Sequence, residues 1–404
     1  MSGRPPRLLV LNQYYWPGVE ATANLLTELC EALAADHEVT VLTGAVPEHP
    51  QGRERRNGVD IVRVHSTAYQ RSRLSRRAAN YFTYVLGVLR RGLFAERPDL
   101  VICMTDPPFI GAIARIVAAR FRVPLLVITQ DVFPEIAVKL GRLRNPVVVG
   151  ALRRLVDPAL RSAERVVVIG ETMKQRVMEK GVAAERIRVI PNWGDAAGVV
   201  PQPRDNAWAR EHRLVKRFVV MHFGNVGHAQ DLDTLIRAAT FLRDLGDLVV
   251  PVIGVGARRE ELMLLARRLE VDRVRFLPWQ PYAERAFPIS AADVHVVGLA
   301  RGLAGYIVPS RLYGILAAGK PVIVAAQPES ETAQLVAEVG CGLVVPPGNP
   351  YLLAAAIRAA YDGELDLAEM GRLARAFAEA ESDRTIAIGR YREVLDELQE
   401  AHAR

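Results

Sequence analysis

Short apolar runs recur through this chain, and a helical segment follows most of them. The first run spans residues 7–12. A polar, aromatic loop follows at 13–18, and then residues 21–35, in which Leu25, Leu29 and Leu33 share one helical face. Further strand-like runs lie at 37–44, 61–65, 99–104, 123–129, 165–169 and 187–190, while 52–60 reads as a polar turn. Runs this short and this apolar need cover on both faces. Alternation with helices supplies it, so the pattern predicts an α/β fold built on a parallel sheet. The pattern then restarts, with runs at 218–223, 249–255, 274–277, 294–299 and 322–325.

At 404 residues the chain exceeds what one ordinary core takes in, so two domains are expected. Their predicted boundaries are 1–195 and 217–383. Residues 196–216, rich in proline, glycine and charge, form the expected connector. Residues 384–404 form a last helix expected to cross back onto the first domain. Cys30, Cys103 and Cys341 fit neither a zinc spacing nor a disulfide framework, which predicts a reducing, cytoplasmic setting. No run reaches the roughly 18 apolar residues of a membrane span. The apolar run at 8–11 is too short for a signal peptide. The expectation is a soluble or peripheral protein.

The net charge of +7 is unevenly placed: residues 51–97 carry eleven arginines against three acids. Within them Leu74, Ala78, Phe82, Val85, Leu89 and Leu93 recur at helical spacing, with Arg71, Arg73, Arg76 and Arg77 at the start and Arg90 and Arg91 later. Such a segment can lie on an anionic bilayer or hold a pyrophosphate-linked lipid. It is equally the pattern of a packed helix with a solvated arginine face. No nucleic-acid module accompanies it, so nucleic acid is not expected as a partner.

Open α/β sheets build their sites just past the C-terminal ends of strands. In the first half those positions hold Tyr14, Trp16 and Gly18, which suit a sugar surface or simple packing at a strand end, and the carboxylates Asp106, Asp131 and Glu135. Each acid also fits a helix cap or first turn. The opening unit has no G-x-G-x-x-G, so a dinucleotide fingerprint is absent. In the second half the strand at 218–223 runs into Gly224-Asn225-Val226-Gly227 and then a helix, an order that lets backbone N–H groups approach a phosphate. Asp231-Leu232-Asp233 spells a D-x-D metal motif. The pair opens a helix, where acids cap the end and complement its dipole, and no metal or other cofactor is expected.

Residues 308–325 carry the strongest signal. Ser310 is a predicted N-cap, Leu312, Ile315 and Leu316 form one stripe, and Gly319 ends the helix. Gly314, inside that helix, costs about 1 kcal/mol relative to alanine, which a closely approaching ligand or backbone would explain. Arg311 in the first turn opposes the helix dipole unless an anion faces it. An ordinary αβ crossover is the plain alternative.

Pro309-Ser310-Arg311-Leu312-Tyr313-Gly314 and Ala317-Ala318-Gly319-Lys320-Pro321-Val322-Ile323 resemble the donor-site segment of family 4 glycosyltransferases. The closest likeness is to the branch that assembles bacterial surface polysaccharides such as colanic acid, O antigen and capsule. Pro191-Asn192-Trp193-Gly194-Asp195 is similar to that family's "PN-G-D" segment. The resemblance implies the GT-B arrangement, two facing Rossmann-like domains with the active site in the cleft between them. It implies retaining transfer of a hexose or N-acetylhexosamine from a nucleotide sugar, expected to be UDP-linked. On this resemblance Gly224, Asn225, Gly227, Ser310, Arg311 and Leu312 hold the diphosphate without a metal. Gly254, Gly256, Trp279, Gln280, Tyr313 and Gly314 enclose base and ribose, with Trp279 either stacking or wedging its loop.

Asp131 and Arg311 are the expected catalytic residues, Asp131 orienting or deprotonating the acceptor hydroxyl. Tyr14, Trp16, Gly18, Asp106 and Glu135 line the expected acceptor side. The implied acceptor is a sugar on a polyprenyl diphosphate, met at the inner face of the plasma membrane through the basic 51–97 region. Two departures stand out. Asn225 stands where the wider family often carries a basic residue and Gln230-Asp231 where it carries Lys-Gly, and Tyr306 and Gly314 occupy the places of its two glutamates. Two rival readings share the fold: a nucleotide-sugar epimerase, and a non-catalytic nucleotide-sugar-binding scaffold protein.

Overall fold

The computed structural model describes residues 4–18, 20–66 and 74–403, with side chains from Asn80 onward in the last stretch. The expected basic residues Arg71 and Arg73, and the side chains of Arg76 and Arg77, lie outside what is described. The chain forms two compact units. One runs through Pro191 and also contains Gly305–Ile307 and the chain from Ala387 on; the other is Asn192–Ala304 with Val308–Ile386.

Among the described residues the first unit holds eight strands: β1 (Arg7–Leu11), β2 (Glu38–Gly44), β3 (Gly52–Arg56), β4 (Val59–Val64), β5 (Leu100–Cys103), β6 (Leu125–Thr129), β7 (Arg165–Val168) and β8 (Ile187–Val189). They lie in the order β3-β4-β2-β1-β5-β6-β7-β8. Every neighbouring pair is parallel except β3 and β4. The central strands are buried on both faces, as a sheet covered by helices requires. The expected turn at 52–60 is instead a β-hairpin. Asn57 and Gly58 both take positive φ, 46° and 84°, the conformation of a two-residue hairpin loop. The charged sequence of β3 disguises a strand that forms the sheet's edge, where charge deters further pairing.

The second unit holds β9 (Phe218–Phe223), β10 (Leu248–Ile253), β11 (Val274–Leu277), β12 (Val294–Gly298), β13 (Val322–Ala325) and β14 (Gly342–Val345), all parallel, in the order β11-β10-β9-β12-β13-β14. This is the doubly wound order, with its switch point between β9 and β12. Residues 196–216 are not a free connector. Helix Ala207–Glu211 buries Trp208, which clusters with Leu214, Val219, Met221 and Val249. Arg204 makes a two-pronged contact with Asp293 at 2.6 and 2.7 Å. Hydrophobic clustering, invisible to a count of prolines and charges, ties the segment down.

The last helix, Arg384–Ala403, joins the first unit from Ala387 on. There Arg392 meets Asp36 at 3.0 Å, and Glu397 receives Arg165 and Arg188.

Candidate active site

At the switch point of the second unit, three loops converge past the ends of β9, β10 and β12. Residue 224 follows β9 directly, and Gly254 follows β10. A Cβ on Gly254 would stand 1.8 Å from the Gly224 carbonyl oxygen, and its φ of 142° is itself unfavourable for any side chain. A Cβ on Gly256 would likewise meet Val226. These glycines therefore let two loops touch backbone to backbone. Gly224 N–H donates to the Ile253 carbonyl, Val226 N–H to that of Val255, and Gly227 N–H to Gln230 Oε1, all at 2.9 Å. Of the three loop residues expected to hold the diphosphate, Gly224 and Gly227 thus already have protein acceptors for their N–H groups.

The charge at this place comes from Arg311. Its guanidinium lies against the bare α-carbon of Gly224, where a Cβ would stand 3.4 Å from Nε. Arg311 Nη1 is 3.0 Å from His222 Nε2 and 3.3 Å from Nδ1. An atom so nearly equidistant from both ring nitrogens stands over the face of the imidazole; in the ring plane it would collide with the carbon between them. His222, fully buried on β9, also reaches the Asn225 carbonyl at 3.2 Å. Burial, with the Arg311 charge adding to it, holds the His222 pKa well below its ordinary value, so the ring is neutral. Burial pulls the Arg311 pKa down to about 10, which leaves it charged at neutral pH. Among the described residues no carboxylate pairs with it.

Arg311 opens the helix Arg311–Ala317. Ser310 is helical in its own right and makes no side-chain cap, which corrects its expected role as N-cap. Leu312 and Tyr313 are buried, and the Leu312 N–H donates to the Pro309 carbonyl at 3.2 Å. Burial, with Glu331 adding to it, raises the Tyr313 pKa. A Cβ on Gly314 would meet nothing within 4 Å. No backbone outside its own helix approaches it, which removes a close backbone contact as the reason for this glycine.

Gln280 accepts from Trp208 Nε1 at 3.1 Å, while Trp279 is 39% exposed. The D-x-D acids are engaged within the protein. Asp231 accepts from the Gly348 N–H at 2.7 Å and makes no cap, and Asp233 pairs with Arg258.

In the first unit the switch point lies between β1 and β5, and Asp106 sits there. Its N–H is held by Asn12 Oδ1, its carbonyl accepts from Gln13, and its carboxylate accepts from Thr22 at 2.8 Å. Asp131 follows β6. It forms an isolated antiparallel bridge with Ile307, and the next residue, Val132, donates to the Tyr306 carbonyl at 2.9 Å. Burial, with the Asp106 charge adding to it, pushes the Asp131 pKa up to about 7. The segment that carries one of the missing glutamates' places thus braces Asp131. Tyr306 is buried, with Arg176 and Lys139 over its ring.

Glu135, one turn on, is an ion-pair partner. Lys180 reaches it at 2.7 Å and Arg153 at 2.8 Å, and Lys180 also meets Asp157 at 2.7 Å. Burial opposes its charge, but these cations prevail and hold its pKa below the usual value.

The loop at 13–18 is packed rather than free. The Trp16 ring has Arg56 over it at 4.6 Å and His49 at its edge at 4.6 Å. Buried Arg63 donates to the Trp16 carbonyl at 2.6 Å and pairs with Glu54. Tyr14 lends its carbonyl to Asn12, and Gly18 closes the turn onto the Tyr15 carbonyl at 2.8 Å. His222 and Arg63 are the residues that sequence reasoning passed over. A histidine inside an apolar strand, two residues before its glycine loop, was the available signal for the first.

Comparison with known proteins shows the family and the fold. Residues 21–193 match the family described as "Glycosyl transferase 4-like domain", and residues 205–377 match "Glycosyl transferases group 1". The chain is 29% identical over 320 residues to WbjE of Pseudomonas aeruginosa, named as a glycosyltransferase, covering 79% of each. It is 27% identical to WcaI of Escherichia coli (strain K12), whose name places it in colanic acid biosynthesis, over 94% of this chain and 97% of that one. Among solved structures, Anabaena HepE in complex with UDP-glucose superposes with a TM-score of 0.76 at 19% identity, covering 97% and 99%. Sucrose-phosphate synthase of Thermosynechococcus elongatus superposes at 0.79 with 17% identity, covering 98% and 100%.

Proposed function

Since the chain belongs to the GT-B glycosyltransferases with family-4-like domains, and so transfers a sugar from a nucleotide sugar, we propose that the donor is UDP-linked and that a hexose or N-acetylhexosamine moves with retained configuration onto a polyprenyl-diphosphate-linked sugar. The product would serve surface polysaccharide assembly of the colanic acid, lipopolysaccharide or capsule kind. One observation carries the donor half: a half-buried guanidinium with no carboxylate partner among the described residues, resting on a neutral ring beside a glycine loop. A cation partly withdrawn from water and unpaired gains from an anion that joins it, and a diphosphate is such an anion.

In the reaction the bond between the sugar's anomeric carbon and the diphosphate oxygen breaks, and its electron pair stays with the diphosphate. Arg311 offsets that growing charge. The acceptor oxygen bonds the anomeric carbon, and its proton passes to Asp131 or to the departing diphosphate. With Asp231 and Asp233 already engaged by Gly348 and Arg258, this reading gives the neutralising role to Arg311 rather than to a metal at the D-x-D. The UDP-glucose complex of HepE favours UDP, and the name of WcaI favours a surface-polysaccharide product.

The acceptor implies a cytoplasmic protein held at the inner membrane surface through the basic 51–97 region. Among the described residues no helix is long and apolar enough to cross a membrane. Helix Leu74–Leu93 exposes Phe82 and Leu86, side chains that suit peripheral contact.

The test is a calorimetric titration with UDP and GDP, without and then with magnesium, on the wild type and Arg311→Ala. Metal-independent UDP binding that weakens by roughly 1–3 kcal/mol in the variant supports the reading. Absence of binding to either nucleotide refutes it.

A further inference from the structure

Helix Leu74–Leu93 carries a second feature beside its exposed Phe82 and Leu86. A groove of about 390 Å³ opens beside its C-terminal turns, lined by Gln51, Val64, His65, Gly87, Arg90, Arg91 and Phe94. The lining contains no acid. Arg90 and Arg91 have no hydrogen bond or ion pair among the described residues, although most arginines of this chain do. Phe94, one residue past the helix, is 85% exposed; Leu86 and Phe82, eight and twelve residues before it, are 57% and 69% exposed. Phe82, Leu86, Arg90 and Phe94 therefore follow one another at steps of four residues, a row roughly 18 Å long that winds part of the way round the segment and is apolar except for the cation.

Arginines in the last turn of a helix complement its dipole, and that alone would account for Arg90 and Arg91. It does not account for a concave, acid-free lining, nor for three large apolar side chains exposed in line with it. A flat bilayer contact would use the apolar track but has no need of a groove. Paired guanidiniums beside an apolar track match one kind of molecule: a diphosphate esterified to a long hydrocarbon chain.

We propose that this groove is a binding site for a prenyl diphosphate, with the diphosphate on Arg90 and Arg91 and the hydrocarbon along Phe94, Leu86 and Phe82. The identity of the occupant rests on the acceptor reading above; the site itself is a new assignment. Its position fits that role. Asn80, near the start of the same helix, is hydrogen-bonded to Gln13 at the β1 switch point. Arg90 lies ten residues further, about 15 Å along the axis, which leaves space for sugar units between a lipid diphosphate and the reacting hydroxyl.

The experiment titrates the full chain with geranylgeranyl diphosphate in detergent. Parallel arms use geranylgeraniol, inorganic pyrophosphate and phosphatidylglycerol vesicles. Wild type is expected to bind geranylgeranyl diphosphate at least tenfold more tightly than either half-molecule. Arg90→Gln/Arg91→Gln is expected to lose at least tenfold, and Phe94→Ser several-fold. Arg90→Lys/Arg91→Lys serves as the charge-conserving variant and should fall between. UDP affinity is measured on every variant and should stay within twofold of wild type, which both reports folding and separates this proposal from the donor reading.

Pyrophosphate or phosphatidylglycerol vesicles binding as tightly as the prenyl diphosphate would overturn the assignment, as would an arginine-to-glutamine variant that binds like wild type.

Discussion

Arg311 rests on the face of the His222 imidazole, Nη1 3.0 Å from one ring nitrogen and 3.3 Å from the other. The contact is attractive only while the ring is neutral. Burial secures that state, and the guanidinium reinforces it. His222 thus aims the cation at the space beside Gly224. His222→Ala should weaken UDP binding by about tenfold, near 1.4 kcal/mol. The same change made in Arg311→Ala should add little, because the partner it positions is gone. Calorimetry on the four proteins of the cycle measures the coupling. Independent, additive losses would show that His222 acts on the fold and not on the arginine.

Gly254 and Gly314 should respond in opposite ways to alanine. At Gly254 a Cβ would strike the Gly224 carbonyl at 1.8 Å, from a backbone with φ of 142°. Gly254→Ala should cost at least about 2 kcal/mol in urea denaturation. At Gly314 the added methyl meets nothing within 4 Å, so Gly314→Ala should gain up to about 1 kcal/mol of helix stability. If the space beside it belongs to the donor, the stabilised variant will show a raised KM for the nucleotide sugar.

The pH dependence follows from Asp131. Burial, and then the neighbouring Asp106 charge, place its pKa at about 7, so it is protonated below that pH and a carboxylate above it. An acceptor step that uses the carboxylate will rise in rate as pH passes upward through about 7. Asp131→Asn should remove this limb from the profile. Asp106→Asn takes away one of the two causes and should move the limb to lower pH. A profile unchanged in Asp131→Asn would assign the proton transfer elsewhere.

Lys180 stands between Glu135 and Asp157, at 2.7 Å from each, with all three side chains mostly buried. Lys180→Met would leave two carboxylates close together without their shared cation. A loss of roughly 3–5 kcal/mol is expected by urea denaturation at pH 7. The deficit should shrink as pH falls, because protonation relieves the repulsion between the acids.

Much of the architecture was legible from residues alone, because alternating apolar runs and helices leave few alternatives to a doubly wound sheet. The hairpin at 52–60 escaped because β3 is an edge strand, and its arginines hide the period of two. Residues 196–216 escaped because Trp208 and Leu214 owe their burial to β9 and β10 rather than to their neighbours in sequence. At the site, Arg311 stood out as a charge on the wrong end of a helix. What it rests on could not be seen, since His222 is 89 residues away and is recruited by strand order. Ser310 fitted the sequence habits of a cap, but its own backbone is already helical, with φ of −60° and ψ of −23°, and its side chain makes no cap bond.

The chain passes from one unit to the other at residues 191–192, 304–305, 307–308 and 386–387. Neither half is therefore a continuous stretch of gene. A fragment stopped at Pro191 would lack Gly305–Ile307, the bracing partner of Asp131, and the final helix that Asp36, Arg165 and Arg188 engage. A separately expressed second half would carry both segments with nothing to receive them. Dividing this protein into donor and acceptor pieces, or exchanging its halves with those of a relative, requires transplanting the tripeptide and the C-terminal helix together with the first half.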